Sequence, residues 1–215
     1  MKSALRILSF LLAALSAEVA AVSLTEQEAL AKLSDIWQLE LKGDRTRELE
    51  LARELASQSC PVWIKEWAGG AVTRLTSVGH PVEMEFTAVD GRTYGLSEMK
   101  GKVVLIDFWA TWCAPCVEAL PKLAQLYSKY HVAGFDILGV SWDSDAVAFK
   151  KFLKQNRISW PQYFDGMKPG KWGEAFGIGG VPYTILVDKN GCVRVFGAAI
   201  DAQDLERNIK TSLAK

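Results

Sequence analysis

Seven residues, Val103-Val104-Leu105-Ile106-Asp107-Phe108-Trp109, form an almost unbroken apolar run, and two cysteines follow it at Cys113 and Cys116. A run of strand length without polar alternation suits a strand buried on both faces, which needs helices on either side of its sheet. The stretch from about Ala114 to Tyr130 reads as a helix, and Phe135–Ser141 as a second strand. Strand, helix and strand in that order make a parallel, right-handed βαβ unit. The chain is therefore α/β.

The rest of the C-terminal part fits that class. Asp90-Gly91 marks a tight turn between strands over Met84–Val89 and Thr93–Leu96. A helix is expected over Ala146–Asn156. Strands over Tyr183–Val187 and Val193–Phe196 flank a turn at Asp188-Lys189-Asn190-Gly191, and Ala202–Leu213 reads as the last helix.

Upstream the texture is helical. Thr25 and Glu28 have capping-box spacing, and Leu30, Leu33, Trp37 and Leu41 then recur on one face. Gly43-Asp44 separates that helix from a charged one over about Arg45–Ser57. Pro61 opens a third helix, lined by Trp63, Trp67, Ala71 and Leu75 and weakened at Gly69-Gly70. The charged residues of this whole region read as a solvated face, with a docking or dimer surface as the alternative use of their apolar partners. Still earlier, Lys2 and Arg6 precede an uncharged run from Ile7 to Ala17 and a small-residue site at Val19-Ala20-Ala21. That is the pattern of a secretory leader, too short to span a bilayer. The expected organisation is a signal peptide over 1–21, a helical region over 22–78 and an α/β domain over 79–215. The mature protein is expected to be exported, in the periplasm or cell envelope, where disulfide chemistry is possible.

With 25 basic and 25 acidic residues, the chain has no positive surplus, so nucleic acid is not an expected partner. The chemistry lies in Trp112-Cys113-Ala114-Pro115-Cys116. Two cysteines at this spacing serve as a redox pair or as half of a zinc site, but a structural zinc needs four ligands. The remaining Cys60, Cys192, His80 and His131 are isolated in sequence, so no metal is expected. The pair sits at a helix N-terminus, where unpaired N–H groups and the helix dipole stabilise a thiolate. Cys113, nearer the helix end, is the expected nucleophile. Cys116, one turn further in, is the expected resolving partner.

Val104-Leu105-Ile106-Asp107-Phe108-Trp109-Ala110-Thr111-Trp112-Cys113-Ala114-Pro115-Cys116 resembles the active-site strand and turn of the thioredoxin superfamily. Gly101-Lys102-Val103-Val104 and Pro121 bring it nearer the exported TlpA/ResA-like branch. Gly180-Val181-Pro182 is similar to the cis-proline loop of that superfamily, and the long interval from Cys116 to Pro182 fits the branch's inserted strand and helix, within Ala133–Trp172. The resemblance covers about Gly79 to Lys215. It implies a thioredoxin-like fold, with a central mixed sheet flanked by helices and an inserted strand–helix segment, preceded here by the small helical region.

The resemblance also implies a thiol–disulfide oxidoreductase without metal, nucleotide or flavin. Its substrates would be disulfide-containing proteins and its electron donor a membrane-embedded thiol protein. Pro182 in the cis form would align a bound chain, with Val181 and Trp112 as contact residues. Asp107 matches the buried carboxylate of thioredoxin. Many TlpA/ResA-like proteins instead carry a glutamate three residues beyond the second cysteine, where this chain has Ala119, with Glu118 one residue early. Asp107 is thus the candidate proton carrier for Cys116, with burial raising its pKa. Pro115 between the cysteines, with no histidine, resembles the reducing members. The alternatives are an oxidase or isomerase of the same fold, or a binding module dominated by the helical region.

Other residues carry smaller expectations. Trp109 and Trp112 are placed at the active-site rim, and Trp142, Trp160 and Trp172 in the core or loops. Lys102 and Lys122 are expected to be solvated, and His80 and His131 to lie near element ends. The even cysteine count leads us to expect a Cys60–Cys192 bridge.

Overall fold

A computed structural model of the chain describes residues 23–166, 170–198 and 202–215. The expected leader over 1–21 lies outside the described residues. All seven residues of the central strand β3 (Val103–Trp109) are buried. It pairs in parallel with β4 (Phe135–Ser141) and antiparallel with β6 (Tyr183–Val187), in a five-stranded sheet of order β5-β4-β3-β6-β7. β5 is Gln162–Phe164 and β7 is Val193–Gly197. The helix α4 (Ala114–Tyr130) makes the crossover between β3 and β4. This is the mixed α/β sheet expected. β1 (Glu85–Thr87) and β2 (Thr93–Gly95) form the small hairpin, whose turn holds Gly91 at φ 87°, a left-handed conformation that glycine adopts without a Cβ clash. Between β4 and β6 lie α5 (Ala146–Gln155), β5 and α6 (Lys171–Ala175), with α5 and β5 supplying a helix and a strand within the 133–172 interval where an insert was expected, and α7 (Ala202–Leu213) closes the chain.

The helical region comprises α1 (Glu26–Lys42), α2 (Arg45–Ser57) and α3 (Val62–Thr76). It has a core of its own, built from Ala29, Leu33, Ile36, Ala52, Leu55 and Ile64 with Trp67, Ala68 and Ala71. The Thr25–Glu28 capping box forms at the start of α1. Of the apolar stripe read from the sequence, only Leu33 faces this core. Ala29, Leu33 and Ile36 are buried, whereas Leu30, Trp37 and Leu41 are exposed by 42, 42 and 72%. Positions 29, 33 and 36 define a stripe one residue round the helix. The smaller side chains on that side let α2 and α3 approach. On α3, likewise, Ile64, Trp67, Ala68 and Ala71 face inward and Trp63 is half exposed.

Two expectations about charge and glycine are also corrected. The charged residues of α1–α3 are not only a solvated face. Arg74 is 1% exposed and Glu48 is fully buried, paired at 2.8 Å, and Arg45 reaches the other oxygen of Glu48 at 2.8 Å. Glu40 stands 3.5 Å from Arg74 and accepts a short hydrogen bond from the Tyr183 hydroxyl. Removing one member would strand a buried charge, which typically costs about 3–5 kcal/mol. Gly70 is not simply a weak point in α3. The space a Cβ would need is taken by backbone atoms of Glu174 and Gly177, so glycine lets α3 close on the segment after α6.

Cys60 and Cys192 are both free and half-buried, so the expected bridge does not form. Cys60 packs on the helical core, and Cys192 sits in the β6–β7 turn, bridged to Pro81. An even cysteine count does not bring two cysteines together. Lys102 pairs with Asp136 at 2.9 Å, and Lys122 approaches Glu206 at 3.7 Å, so neither is merely solvated. No helix among the described residues is long and apolar enough to cross a membrane.

Candidate active site

The site forms where β3 and β4 end, because parallel strands deliver their C-terminal loops to one edge of the sheet. β3 runs into Ala110-Thr111-Trp112, a loop held by Asp143 just beyond β4. Both carboxylate oxygens of Asp143 accept from the Thr111 N–H at 3.2 Å, and one accepts from the Ser141 hydroxyl at 2.6 Å. The Trp142 N–H donates to the Trp109 carbonyl at 2.9 Å, joining the two strand ends. Sequence reading passed over Asp143. Its position just after a second parallel strand was the available signal.

Cys113 is the N-cap of α4 and Pro115 lies in its first turn, where a proline's missing N–H costs nothing. Cys113 and Cys116 are disulfide-bonded, with Cα atoms 5.2 Å apart. They are 5% and 3% exposed, while Trp112 beside them is 60% exposed. The Cys116 N–H donates to the Cys113 sulfur at 3.3 Å. In the reduced protein that donor, with the helix N-terminus behind it, would face a Cys113 thiolate. Neither histidine joins the site. His80 is exposed, and His131 lies at the far end of α4.

Asp107 lies in the middle of β3, opposite Gly139 of β4 and Thr184 of β6. It is 5% exposed, its carboxylate accepts no hydrogen bond from a described residue, and burial alone pushes its pKa up to about 7. The acid is therefore poised near neutrality, as its place in an apolar strand implied. Glu118 and Ala119 are both on the exposed side of α4. Trp109 is not a rim residue as expected. It is 1% exposed, and its indole N–H donates to Gln162 at 3.0 Å.

The Val181–Pro182 bond is cis. Phe108 pairs with Tyr183, so the antiparallel register sets Pro182 and Val181 beside the end of β3 that leads to the cysteines. The helical region grips this loop at several points. Arg74 donates to the carbonyls of Phe176 and Gly177 at 3.1 and 2.8 Å, and its guanidinium lies 5.3 Å from the centre of the Tyr183 ring. A Cβ on Gly179 would come within 2.6 Å of the Trp37 ring. Glu40 holds the Tyr183 hydroxyl. Arg74, Glu40, Trp37 and Tyr183 were missed in sequence, since the contacts join residues more than a hundred positions apart. Among the described residues no cluster of histidine, cysteine and acidic side chains is arranged to hold a metal ion.

Comparison with known proteins agrees with this geometry. Residues 71–211 match the Redoxin family. A thiol-disulfide oxidoreductase ResA of Bacillus thuringiensis (strain Al Hakam) is 36% identical over 107 residues, which cover 50% of this chain and 61% of the relative. The chain thus spans less than two thirds of that relative's length. ResA of Geobacillus kaustophilus is 31% identical over 126 residues, 58% of this chain and 71% of the relative. Among solved structures, a thiol:disulfide interchange protein of the thioredoxin family from Chlorobium tepidum superposes with a TM-score of 0.55 at 26% identity, covering 62% of this chain and 94% of its own. The thioredoxin domain of a Bacteroides vulgatus thiol-disulfide oxidoreductase gives 0.53 at 28% identity, covering 60% and 92%. By family match, relatives and fold, the chain belongs to the Redoxin family and is a ResA/TlpA-like member of the thioredoxin superfamily.

Proposed function

We propose that the protein is an exported thiol–disulfide oxidoreductase that reduces disulfides in proteins of the periplasm or cell envelope. The observation that carries this reading is the Cys113–Cys116 pair at the N-terminus of α4, with the Cys116 N–H aimed at the Cys113 sulfur. The Cys113 thiolate attacks one sulfur of a substrate disulfide. The Cys113–substrate bond forms, the substrate S–S bond breaks, and the first substrate thiolate leaves and takes up a proton. Asp107 then accepts the proton of Cys116, whose thiolate attacks the Cys113 sulfur and expels the second substrate thiolate, which takes up a proton as Asp107 gives up its own. Two electrons and two protons have passed to the substrate, and the pair is a disulfide again. A membrane-embedded dithiol protein would restore it by the same exchange in reverse.

The cis-Pro182 loop supports substrate alignment. No described hydrogen bond occupies the backbone of Gly180 or Val181, so an extended substrate segment can pair there as an added strand. Trp112, the exposed neighbour of Cys113, offers a contact surface. The test is insulin reduction driven by dithiothreitol, with the protein and its Cys113→Ser variant. The protein should accelerate precipitation of the insulin B chain, and Cys113→Ser should leave only the rate of dithiothreitol alone. Equal rates with and without the unaltered protein would contradict the reading and favour a binding module.

A further inference from the structure

The helical region presents an apolar face that its own packing leaves uncovered. Leu30, Trp37 and Leu41 on α1 and Trp63 on α3 are 42 to 72% exposed. Exposed apolar residues scattered singly need no explanation, but a contiguous set does. These four line two adjoining clefts that share Trp37 and Gly179. One cleft, about 310 Å³, is walled by Trp37, Leu41, Val181 and Pro182. The other, about 370 Å³, is walled by Leu30, Trp37, Trp63, Glu66 and Glu174.

We propose that the two clefts are one groove, which seats the extended polypeptide segment flanking the substrate's disulfide and selects segments carrying apolar side chains and a basic residue. The proposal rests on the thiol–disulfide reading above and extends it to a substrate class. Continuity points to this occupant. The groove begins at the loop whose Val181 backbone is open beside the exit of β3, so a chain paired there runs on past Trp37 toward Trp63. Charge points the same way. Glu66 and Glu174 are exposed and form no ion pair among the described residues, so the far cleft has two carboxylates ready for a lysine or arginine. A second copy of this chain would bring the same carboxylates to the contact. The groove also stands on a rigid base, since Trp37 meets Trp67 edge-on at 6.1 Å and covers Gly179.

The test compares three disulfides as substrates of the dithiothreitol-reduced protein. They are hydroxyethyl disulfide, a disulfide-linked peptide with Phe, Leu and Lys beside its cysteine, and the same peptide with Ser and Asp in those places. Leu41→Ser and Trp63→Ser alter exposed residues that take no part in the exchange chemistry. Each should lower kcat/KM for the Phe-Leu-Lys peptide about tenfold, as loss of a moderate anchor does, and mainly through KM. Both should keep hydroxyethyl disulfide reduction within about twofold of the unaltered protein, since no groove contact is lost there. The double variant Glu66→Lys, Glu174→Lys should reverse the preference between the two peptides. Unaltered kcat/KM for both peptides in Leu41→Ser and Trp63→Ser would overturn the groove while leaving the redox reading intact. Light scattering that finds a dimer split by these variants would overturn it in favour of a second copy. Failure of the unaltered protein on hydroxyethyl disulfide would instead remove the redox reading on which the groove depends.

Discussion

Asp107→Asn should resolve the mixed disulfide about 10²–10⁴-fold more slowly near neutral pH, the usual worth of a positioned proton carrier. Cys116 is 3% exposed, so its thiol loses a proton in a poorly solvated place before it attacks. Asp107, with a pKa near 7, is largely ionised just above neutrality and able to take that proton. In the variant, hydroxide must do the work, so the deficit should shrink toward pH 9. Attack by Cys113 should change far less, because its thiolate depends on the helix terminus. Stopped-flow mixing with a disulfide peptide separates the two steps. Unaltered resolution from pH 6 to 9 would make Asp107 only a tolerated core acid.

The same substitution should stabilise the protein in a pH-dependent way. The folded pKa of Asp107 is raised from 3.8 to about 7, so the folded state holds its proton more tightly than the unfolded chain does. Stability from this group is therefore full below about pH 4 and is lost as pH rises through 7. Three pKa units correspond to about 4 kcal/mol, an upper bound on the gain from Asp107→Asn at pH 8. At pH 4 the gain should be close to nothing. Urea unfolding at the two pH values checks both magnitude and sign, and a larger gain at pH 4 would contradict the burial argument.

Cys116→Ser should turn the protein into a trap. Cys113 can still form its bond to a substrate sulfur, but no second sulfur lies one turn away to break it. Turnover should fall to the background of the reductant, and one substrate chain should remain bound per protein until dithiothreitol releases it. Because Cys60 and Cys192 are free thiols, the experiment belongs in a Cys60→Ala, Cys192→Ala background. Peptide mapping should place the adduct on Cys113. An adduct that forms equally well in Cys113→Ser protein, which keeps Cys116, would assign the nucleophile to Cys116 instead.

The redox part of the site was legible in sequence because each of its pieces is local. An apolar run long enough for a buried strand, a cysteine pair at the next helix start and a Gly-Val-Pro before another strand each carry their own physical signature. The βαβ unit sets β3 beside β4 and the hairpin sets β6 beside β7, but the short β5 and the pairing of β3 with β6 join distant segments and carry no local signature. Asp107 was legible because a lone acid in such a strand has nowhere to find water. What the helical region does was not legible. Arg74, Glu48 and Glu40 look like any charges on an amphipathic helix, and their burial depends on residues 176–183 folding back against them. The face of α1 was misjudged because two neighbouring stripes both fit helical spacing. Choosing between them takes the partner helices.

The central claim is that the Cys113–Cys116 pair gives electrons to substrate disulfides. Strong oxidants of this kind stabilise the reduced thiolate heavily, and stabilising it makes the couple more oxidising. Here the described support at Cys113 is the helix terminus with one N–H at 3.3 Å, and no histidine adjoins it. The reduction potential, read by equilibrating the protein with glutathione or dithiothreitol buffers and alkylating the thiols, tests the claim most directly. The account predicts a value near thioredoxin's roughly −270 mV. A value near about −120 mV, that of a strong oxidant, would contradict it.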